Sequence, residues 1–391
     1  MTVVMSPNVI CCRGPLARSS SCQEGPALLG DNTSNSNNLE KANVNVNVKE
    51  NVKENVKTKV KVKVKAKAAE KFAVCTLLAI DESYLPGALA LACSFRENIP
   101  RKKWPNIDLV CMCVEGTRIS KSGIALLRRW FDVVDFVAPL RVTPDLIHHR
   151  DATTRERYSQ MFVKFRLLEM TRYQKILYMD ADMLVLRPTL VNLFMLDTPA
   201  AVFYGCTNPF KGAHEKTAYT RNVCPVIEHG KTIQNRRMAS NESCPRSING
   251  VKTRGKYMGF EAALMLLGPD PLLLQRIESI VRDAQKGVPF AKELVSKTEA
   301  SLFNRLFATK MHVINNHFLG RWVDAQTVPG YVTLDSYGYM GKPWNVDVPN
   351  YSDVVYWRKR YAEYASQHPS TFGVRTPNHT MKQAYRVIVG K

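Results

Sequence analysis

The sequence lacks several features that would point to particular classes of protein. Its 391 residues include ten cysteines, but no two of them form a Cys-x-x-Cys pair. No apolar run approaches the ~20 residues that a membrane-spanning helix needs, and no hydrophobic segment typical of a secretory signal opens the chain. These absences argue against a Cys-x-x-Cys redox or zinc module and against a protein that crosses a membrane. We therefore expect a cytoplasmic protein.

The first 71 residues are low in aromatic side chains and rich in Asn, Ser and Lys. They hold 12 Lys and Arg against 6 Asp and Glu, a net charge of +6. Such a segment cannot bury enough apolar surface to offset its chain entropy, so we predict a disordered, basic, low-complexity leader over 1–71 that contacts polyanions. Arg13 and Arg18, among serines and without acidic neighbours, also resemble an organelle transit peptide, which stays open as an alternative location.

The rest of the chain carries +15 of the total charge of +21, and 45% of all residues are hydrophobic. This length and composition can bury a sizeable core in one large or two modest domains. The positive charge favours phosphorylated or polyanionic ligands. Four cysteines in or beside apolar segments are predicted to be buried thiols of a reducing compartment, namely Cys75, Cys93, Cys111 and Cys113.

Residues 207–256 form a distinct segment, with 10 Lys and Arg against 3 Asp and Glu and few aliphatic residues. We predict a surface insertion. Cysteines and histidines are spread through it at a spacing that suits zinc poorly, so free loop cysteines are the preferred interpretation and a zinc site is the alternative. These residues are Cys224, Cys244, His214 and His229, together with Cys206 immediately before the segment.

From residue 72 onward, short apolar runs alternate with segments of helical periodicity. Strands are predicted at 72–80, 107–114, 133–137, 176–179 and 260–267, and helices at 85–96, 122–131, 158–170, 271–286 and 297–308. This alternation predicts an α/β fold of the Rossmann-like kind, with a mostly parallel sheet, right-handed crossovers and flanking helices.

Two carboxylates, Asp180 and Asp182, interrupt the apolar run that contains the fourth predicted strand. In an extended chain, residues two apart point the same way, so both carboxylates would face one side and Ala181 the other. Like charges among apolar neighbours need a compensating cation, and carboxylate oxygens suit Mg²⁺ or Mn²⁺. Since ligands bind at the carboxyl ends of strands in open α/β sheets, we predict a cation site there. The alternative is that one Asp caps a turn and the other is solvated.

Four features in this order resemble glycosyltransferase family 8, the glycogenin-like and galactinol-synthase-like enzymes with a GT-A fold. The sequence Asp81-Glu82-Ser83-Tyr84 followed by Gly87-Ala88 resembles the family's nucleotide loop, and Lys164 precedes the metal strand as in the family. Tyr178-Met179-Asp180-Ala181-Asp182 matches the family's Asp-x-Asp motif, and Lys342-Pro343-Trp344 matches its closing Lys-Pro-Trp. The resemblance implies a GT-A domain over 72–345 that contains the insertion, followed by a C-terminal extension over 346–391.

The resemblance also implies an activity, which is retaining transfer of a hexose from a UDP-sugar to a carbohydrate, polyol or protein acceptor. Mn²⁺, or Mg²⁺, would bridge the diphosphate to Asp180, Asp182 and a third ligand. The catalytic residues would be Asp182, Lys164 and Glu299. The donor site would comprise Leu78, Ile80, Asp81, Tyr84, Lys164, Asp180, Ala181, Asp182 and Lys342, with Lys342 on the phosphates and Tyr84 on the uracil ring.

The sequence departs from the family where the third metal ligand is expected. Relatives carry a His there, and this chain carries Asp335 and Ser336. We take Asp335 as the third ligand, because carboxylate suits a hard cation, with His317 as the competing choice.

Positions that face the sugar and the acceptor in relatives also differ, with Glu261-Ala262-Ala263 for Asn-Ala-Gly and Glu299-Ala300 for Asp-Gln. A front-face route, in which the leaving phosphate deprotonates the acceptor, is the expected mechanism. Glu261 or Glu299 acting as a carboxylate on the sugar's face is the alternative.

Two other functions stay open from the residues alone. A strand followed by Asp-x-Asp also opens haloacid-dehalogenase-type phosphatases, although three predicted strands precede the motif here. The basic leader and the altered acceptor positions also fit a catalytically silent, polyanion-binding transferase domain. A homodimer is left open.

Overall fold

A computed structural model describes residues 70–204, 247–248, 251–252, 259–307, 310–321, 323, 328–336, 341–348 and 350–390. The strands are β1 (Phe72–Leu78), β2 (Ile107–Val114), β3 (Val133–Val137), β4 (Lys175–Met179), β5 (Met183–Val185), β6 (Ala200–Tyr204), β7 (Ser247–Ile248), β8 (Val251–Lys252), β9 (Gly259–Leu267), β10 (His312–Ile314), β11 (Gly320–Arg321) and β12 (Thr333–Asp335). The α-helices are α1 (Leu85–Asn98), α2 (Lys121–Trp130), α3 (Ala152–Met161), α4 (Pro271–Gln285), α5 (Pro289–Val295), α6 (Glu299–Phe307), α7 (Ser352–Gln367) and α8 (His379–Val389).

Seven strands form the central sheet in the order β10-β6-β9-β4-β1-β2-β3. The pairs β1–β2, β1–β4, β2–β3 and β10–β6 are parallel, whereas β9 runs antiparallel to both β4 and β6. The predicted α/β class with a mostly parallel sheet is therefore confirmed. Because β1, β2 and β4 are parallel neighbours, their carboxyl ends meet at one edge, where ligands bind in such sheets.

Helices cover both faces of the sheet, which explains why the inner strands are apolar on both sides. On one face, α1, α2, α7 and α8 share a core with alternate residues of β1 and β4. On the other face, α4, α5, α6 and a 3-10 helix at Phe162–Glu169 close a second core. The four cysteines predicted to be buried are buried and free, as expected.

One predicted helix is wrong. The segment 158–170 is not a single helix, because α3 starts earlier, at Ala152, and ends at Met161, where a 3-10 helix takes over through Glu169. Six of the eight residues in that 3-10 helix are buried, so packing against the sheet outweighs the looser geometry of a 3-10 turn. Lys164 therefore lies on a 3-10 helix and not on an α-helix.

The segment after residue 310 adds elements that the sequence analysis did not predict. Strand β12 pairs with β5 and β11 in a small three-stranded sheet beside the aspartate pair. Helices α7 and α8 pack on α1, and Trp357 of α7 is fully buried. In the part of the chain that the structure describes, no helix has the length and apolarity to cross a bilayer. The leader, apart from Glu70 and Lys71, and nearly all of the insertion, with Cys206, Cys224, Cys244, His214 and His229, lie outside the described residues.

Candidate active site

The aspartate pair lies in a tight turn at the carboxyl end of β4. The Asp180 N–H donates to the Ala263 carbonyl at 3.0 Å, and the Met183 N–H donates back to the Asp180 carbonyl at 3.1 Å. The expected extended conformation is wrong, because Ala181 and Asp182 form a turn between β4 and β5. The turn still leaves both carboxylates available to one ligand, since Asp180, Ala181 and Asp182 all line the same cleft.

Lys164 is the buried cation beside Asp180. Its ammonium lies 3.1 Å from the Asp180 carboxylate and 3.1 Å from that of Glu299, and it donates to the Ala262 carbonyl at 3.3 Å. Burial alone would lower the pKa of Lys164, but Asp180 and Glu299 together hold that pKa above its usual value. Lys164 therefore stays protonated and joins helix α6 to the aspartate turn.

Asp180 is held ionised by its neighbours. Burial would raise the pKa of its carboxyl, yet Lys164, the Tyr178 hydroxyl and Lys342 keep that pKa below its ordinary value. The Tyr178 O–H donates to Asp180 at 2.6 Å, and the Lys164 ammonium lies 4.8 Å from the Tyr178 ring centroid. Asp180 is thus a charged, oriented carboxylate at the floor of the cleft.

Lys342, which is distant in sequence from the aspartate turn, pairs with Asp182. Its ammonium contacts the Asp182 carboxylate and lies 5.4 Å from the centroid of the Tyr84 ring. Tyr84 in turn packs edge-on against Trp344, with ring centroids 5.8 Å apart. The structure therefore brings together the nucleotide loop, the Asp-x-Asp turn and the Lys-Pro-Trp segment, which are distant in sequence.

The cleft in front of the aspartates has a volume of about 470 Å³. Among the described residues its charged lining is balanced, with the four carboxylates of Asp180, Asp182, Glu261 and Glu299 against the four cations of Arg157, Lys164, Arg321 and Lys342. Tyr84, Tyr158 and Tyr178 add aromatic surface to this lining. Apolar rings beside a few convergent charged groups are typical of a small-molecule site.

A second cleft of about 410 Å³ adjoins the first, and both are lined by Ala79 and Ile80. Asp81 lines only the second cleft, together with Arg118 and Arg141. Of the predicted donor-site residues near the nucleotide loop, Ile80, Asp81 and Tyr84 line these clefts. Leu78 is instead fully buried in the core beside α1, because successive residues of a strand alternate between its faces.

Asp335, the predicted third metal ligand, lies behind the cleft wall. It is 1% exposed and is paired with Arg321, whose Nε donates to its Oδ2 at 2.7 Å. Arg321 also lies 3.3 Å from Glu261. Burial, and the proximity of Asp182 and Asp180, raise the pKa of Asp335 to about 7 against the opposing effect of Arg321.

The competing residue, His317, is exposed and stacks on Tyr331 with ring centroids 6.2 Å apart. Neither His317 nor Asp335 contributes to the lining of the main cleft. Among the described residues, no three His, Cys, Asp or Glu side chains are grouped closely enough to hold a metal ion.

Sequence reasoning missed Arg321 and Arg157, although both line the cleft. A signal for Arg321 does exist, because an arginine between Gly320 and Trp322 in a short apolar segment is unlike a solvated surface residue. Arg157 carries no such signal, since it lies in the strongly polar helix α3.

The family profile described as glycosyl transferase family 8 matches residues 75–325. Glycogenin-2 of Saccharomyces cerevisiae is 29% identical over 136 residues, which are 33% of this chain and 36% of the yeast protein. An uncharacterized protein of Schizosaccharomyces pombe is 25% identical over 269 residues, which are 64% of this chain and 66% of that protein. The match thus spans about a third of the length of glycogenin-2 and about 66% of the length of the Schizosaccharomyces pombe protein.

Solved glycosyltransferases resemble the chain more distantly. An active-site mutant of LgtC shares 17% identity at a TM-score of 0.43, covering 75% of this chain and 95% of that one. Streptococcus pneumoniae GlyE shares 14% identity at a TM-score of 0.40, covering 76% of this chain and 64% of that one. The profile match covers more than half of the sequence and agrees with the mostly parallel sheet and its flanking helices, so the predicted GT-A-type fold is confirmed. The chain belongs to glycosyl transferase family 8.

Proposed function

We propose that this protein transfers a hexose from a UDP-sugar to the hydroxyl group of a carbohydrate, polyol or protein acceptor. The proposal is based on one observation. The carboxylates of Asp180 and Asp182 form the floor of a 470 Å³ cleft into which the ammonium groups of Lys164 and Lys342 converge from distant parts of the chain. A site with paired carboxylates and lysines suits a nucleoside diphosphate, whose charge grows as it departs.

The two adjoining clefts suggest how the donor would be divided between them. The smaller cleft, with Ile80 and Asp81, would take the nucleoside, and the larger one the diphosphate and the sugar. The Tyr84 ring lines the larger cleft and would contact the base at the boundary. In this arrangement Lys342 would meet the phosphates, since its ammonium already lies between Tyr84 and Asp182.

The two carboxylates of the aspartate turn suit a divalent cation, although no third such side chain of the described residues is grouped with them. The described part of the cleft lining is charge-balanced, and behind it Asp335 has a buried Oδ1 atom for which the described residues supply no hydrogen-bond partner. A dianionic diphosphate would therefore enter most favourably together with a divalent cation. We propose Mn²⁺ or Mg²⁺ at Asp180 and Asp182, where it would act as a Lewis acid on the diphosphate. Asp335 as the third ligand stays a prediction.

The chain's own residues would stabilise the leaving group. Lys164 is buried and stays charged, so its attraction for the diphosphate is little screened by water. Lys342 would exchange its contact with Asp182 for the phosphate oxygens as the bond to the sugar breaks. Interactions that strengthen as charge develops lower the barrier more than those made equally in the ground state.

The surroundings of the two glutamates favour the front-face route. Glu299 is buried and paired with Lys164, and Glu261 is paired with Arg321, so each carboxylate already has a cation. A paired carboxylate is a poor nucleophile, and the leaving phosphate would then accept the acceptor's proton. Glu299 would act by orienting Lys164.

The proposal is tested by a panel of UDP-sugars incubated with the full chain and Mn²⁺, with released UDP as the readout. At least one UDP-hexose should be turned over, and chelation of the metal should suppress that turnover. If no donor is turned over while the chain binds polyanions through residues 1–71, the catalytically silent alternative replaces this proposal. Cytoplasmic location stays a prediction, and a homodimer stays open.

A further inference from the structure

The carboxylate of Glu82 lies between the N-termini of two helices. Ser120 is the N-cap of α2, and Asn378 is the N-cap of α8 in the C-terminal segment. The Ser120 N–H donates to Glu82 Oε2 at 2.6 Å, and the Ser120 hydroxyl donates to Oε1 at 3.0 Å. Because each helix N-terminus carries a partial positive charge, two of them together attract a carboxylate placed between them.

Asn378 joins the C-terminal helix to this carboxylate. Its Nδ2 donates to Glu82 Oε1 and also reaches the hydroxyl groups of Ser120 at 3.1 Å and Ser122 at 3.3 Å. Its Oδ1 accepts the Met381 N–H at 3.1 Å, which caps α8. Asn378 is only 1% exposed, so each of its amide atoms is used within the protein.

Glu82 stands between two residues of the donor site. Asp81, which precedes it, lines the smaller cleft and accepts the Ser83 N–H at 2.8 Å. Tyr84, which ends the same 3-10 turn, lines the larger cleft under the Lys342 ammonium. A shift of Glu82 would therefore move residues of both clefts.

We propose that Asn378 is a positioning residue for the donor nucleotide, acting through Glu82 to fix the turn that carries Asp81 and Tyr84. This role rests on the proposed function. Asn378 lies beyond residues 75–325, where the family profile matches, so the C-terminal segment of this chain contributes to its donor site without touching the donor. Binding of UDP then depends on the contact between Glu82 and Asn378, which are 296 residues apart in sequence.

The test is Asn378→Asp, with UDP and Mn²⁺ as the probe and calorimetry as the readout. Asp caps a helix as well as Asn does, so α8 keeps its cap. A second carboxylate would however face Glu82 and push the turn out of place. We expect UDP affinity to fall about tenfold, the size typical of coupled neighbours. Adding Glu82→Gln should restore affinity to within about twofold of the wild type, because the Gln amide then donates a hydrogen bond to the introduced carboxylate.

Asp270→Asn is the matched control, since it exchanges the same two side chains at the N-cap of α4, away from both clefts. If Asn378→Asp lowers the melting temperature, Asn378→Ser replaces it, because serine caps the helix but is too short for Glu82. Unchanged UDP affinity in the variant, or no recovery in the double variant, overturns the role of Asn378 alone. A wild-type chain that does not bind UDP overturns both this role and the proposed function.

Discussion

Asp182 is the single side chain whose charge the proposed chemistry needs most. It is 2% exposed, lines the main cleft and contacts Lys342. Asp182→Asn keeps the shape and removes the charge, so UDP release in the presence of Mn²⁺ should fall by at least about 100-fold, as for loss of one key electrostatic group. Asp197→Asn, at an exposed site, is the control. Turnover that survives in Asp182→Asn would contradict its role.

Asp335 should make the stability of the protein depend on pH. Its pKa is raised to about 7 by burial and by the neighbouring aspartates. A group with a raised folded-state pKa stabilises the fold below its unfolded pKa, and that contribution is lost as the pH rises through 7. In EDTA, unfolding by urea should therefore show a loss of about 1 kcal/mol between pH 6 and pH 8 that Asp335→Asn lacks.

The test compares the pH dependence of the free energy of unfolding of the wild type with that of Asp335→Asn. Any contribution from the histidines is common to both proteins and cancels in the difference. Curves that stay parallel from pH 6 to pH 8 would show that Arg321 holds Asp335 ionised throughout.

At the scale of elements, helix α1 packs directly on the turn that carries the aspartates. A Cβ atom added at Gly87 would lie 2.5 Å from the Ala181 carbonyl oxygen and 2.5 Å from the Trp344 ring. Gly87→Ala should therefore displace the turn, lower the free energy of unfolding by about 1–3 kcal/mol and weaken UDP binding. Gly330→Ala should leave both unchanged, because no atom of the described residues lies within 4 Å of the added carbon. Equal behaviour of the two variants would refute the close contact.

A substitution in helix α7 tests whether the C-terminal segment unfolds together with the rest of the chain. Trp357 is fully buried, 5.5 Å from Trp344 and 5.4 Å from Tyr361 between ring centroids. Trp357→Ala should cost about 3–5 kcal/mol, as for other buried aromatic residues, within a single urea transition. A separate early transition in the wild type would instead support the predicted boundary at residue 345, which stays a prediction.

The elements that could be predicted are those with a strong local signal. Strands β2 and β3 have the predicted bounds, because each is an apolar run closed by turn residues. The change from α-helix to 3-10 helix at Met161 could not be predicted, since both place similar residues against the sheet. Helices α7 and α8 were missed, although the sequence holds a signal for α7: Val354, Trp357, Tyr361 and Tyr364 recur at intervals of three and four residues, the spacing of one helix face.

The same distinction holds for the candidate site. Asp180, Asp182, Lys164 and Lys342 could be predicted because their motifs are local and follow one another in the family's order. The ion pairs of Arg321 with Asp335 and Glu261 could not, since they join residues 14 and 60 positions apart and depend on how β11 lies beside β12.

For the molecule as a whole, the central claim is that the cleft at the aspartate turn binds a nucleoside diphosphate together with a divalent cation. The most direct measurement is calorimetric titration of the full chain with UDP, once in Mn²⁺ and once in EDTA. We expect saturable binding at one site per chain in Mn²⁺ and an affinity at least about tenfold lower in EDTA. Absence of UDP binding in Mn²⁺, or equal affinity with and without the metal, would contradict it.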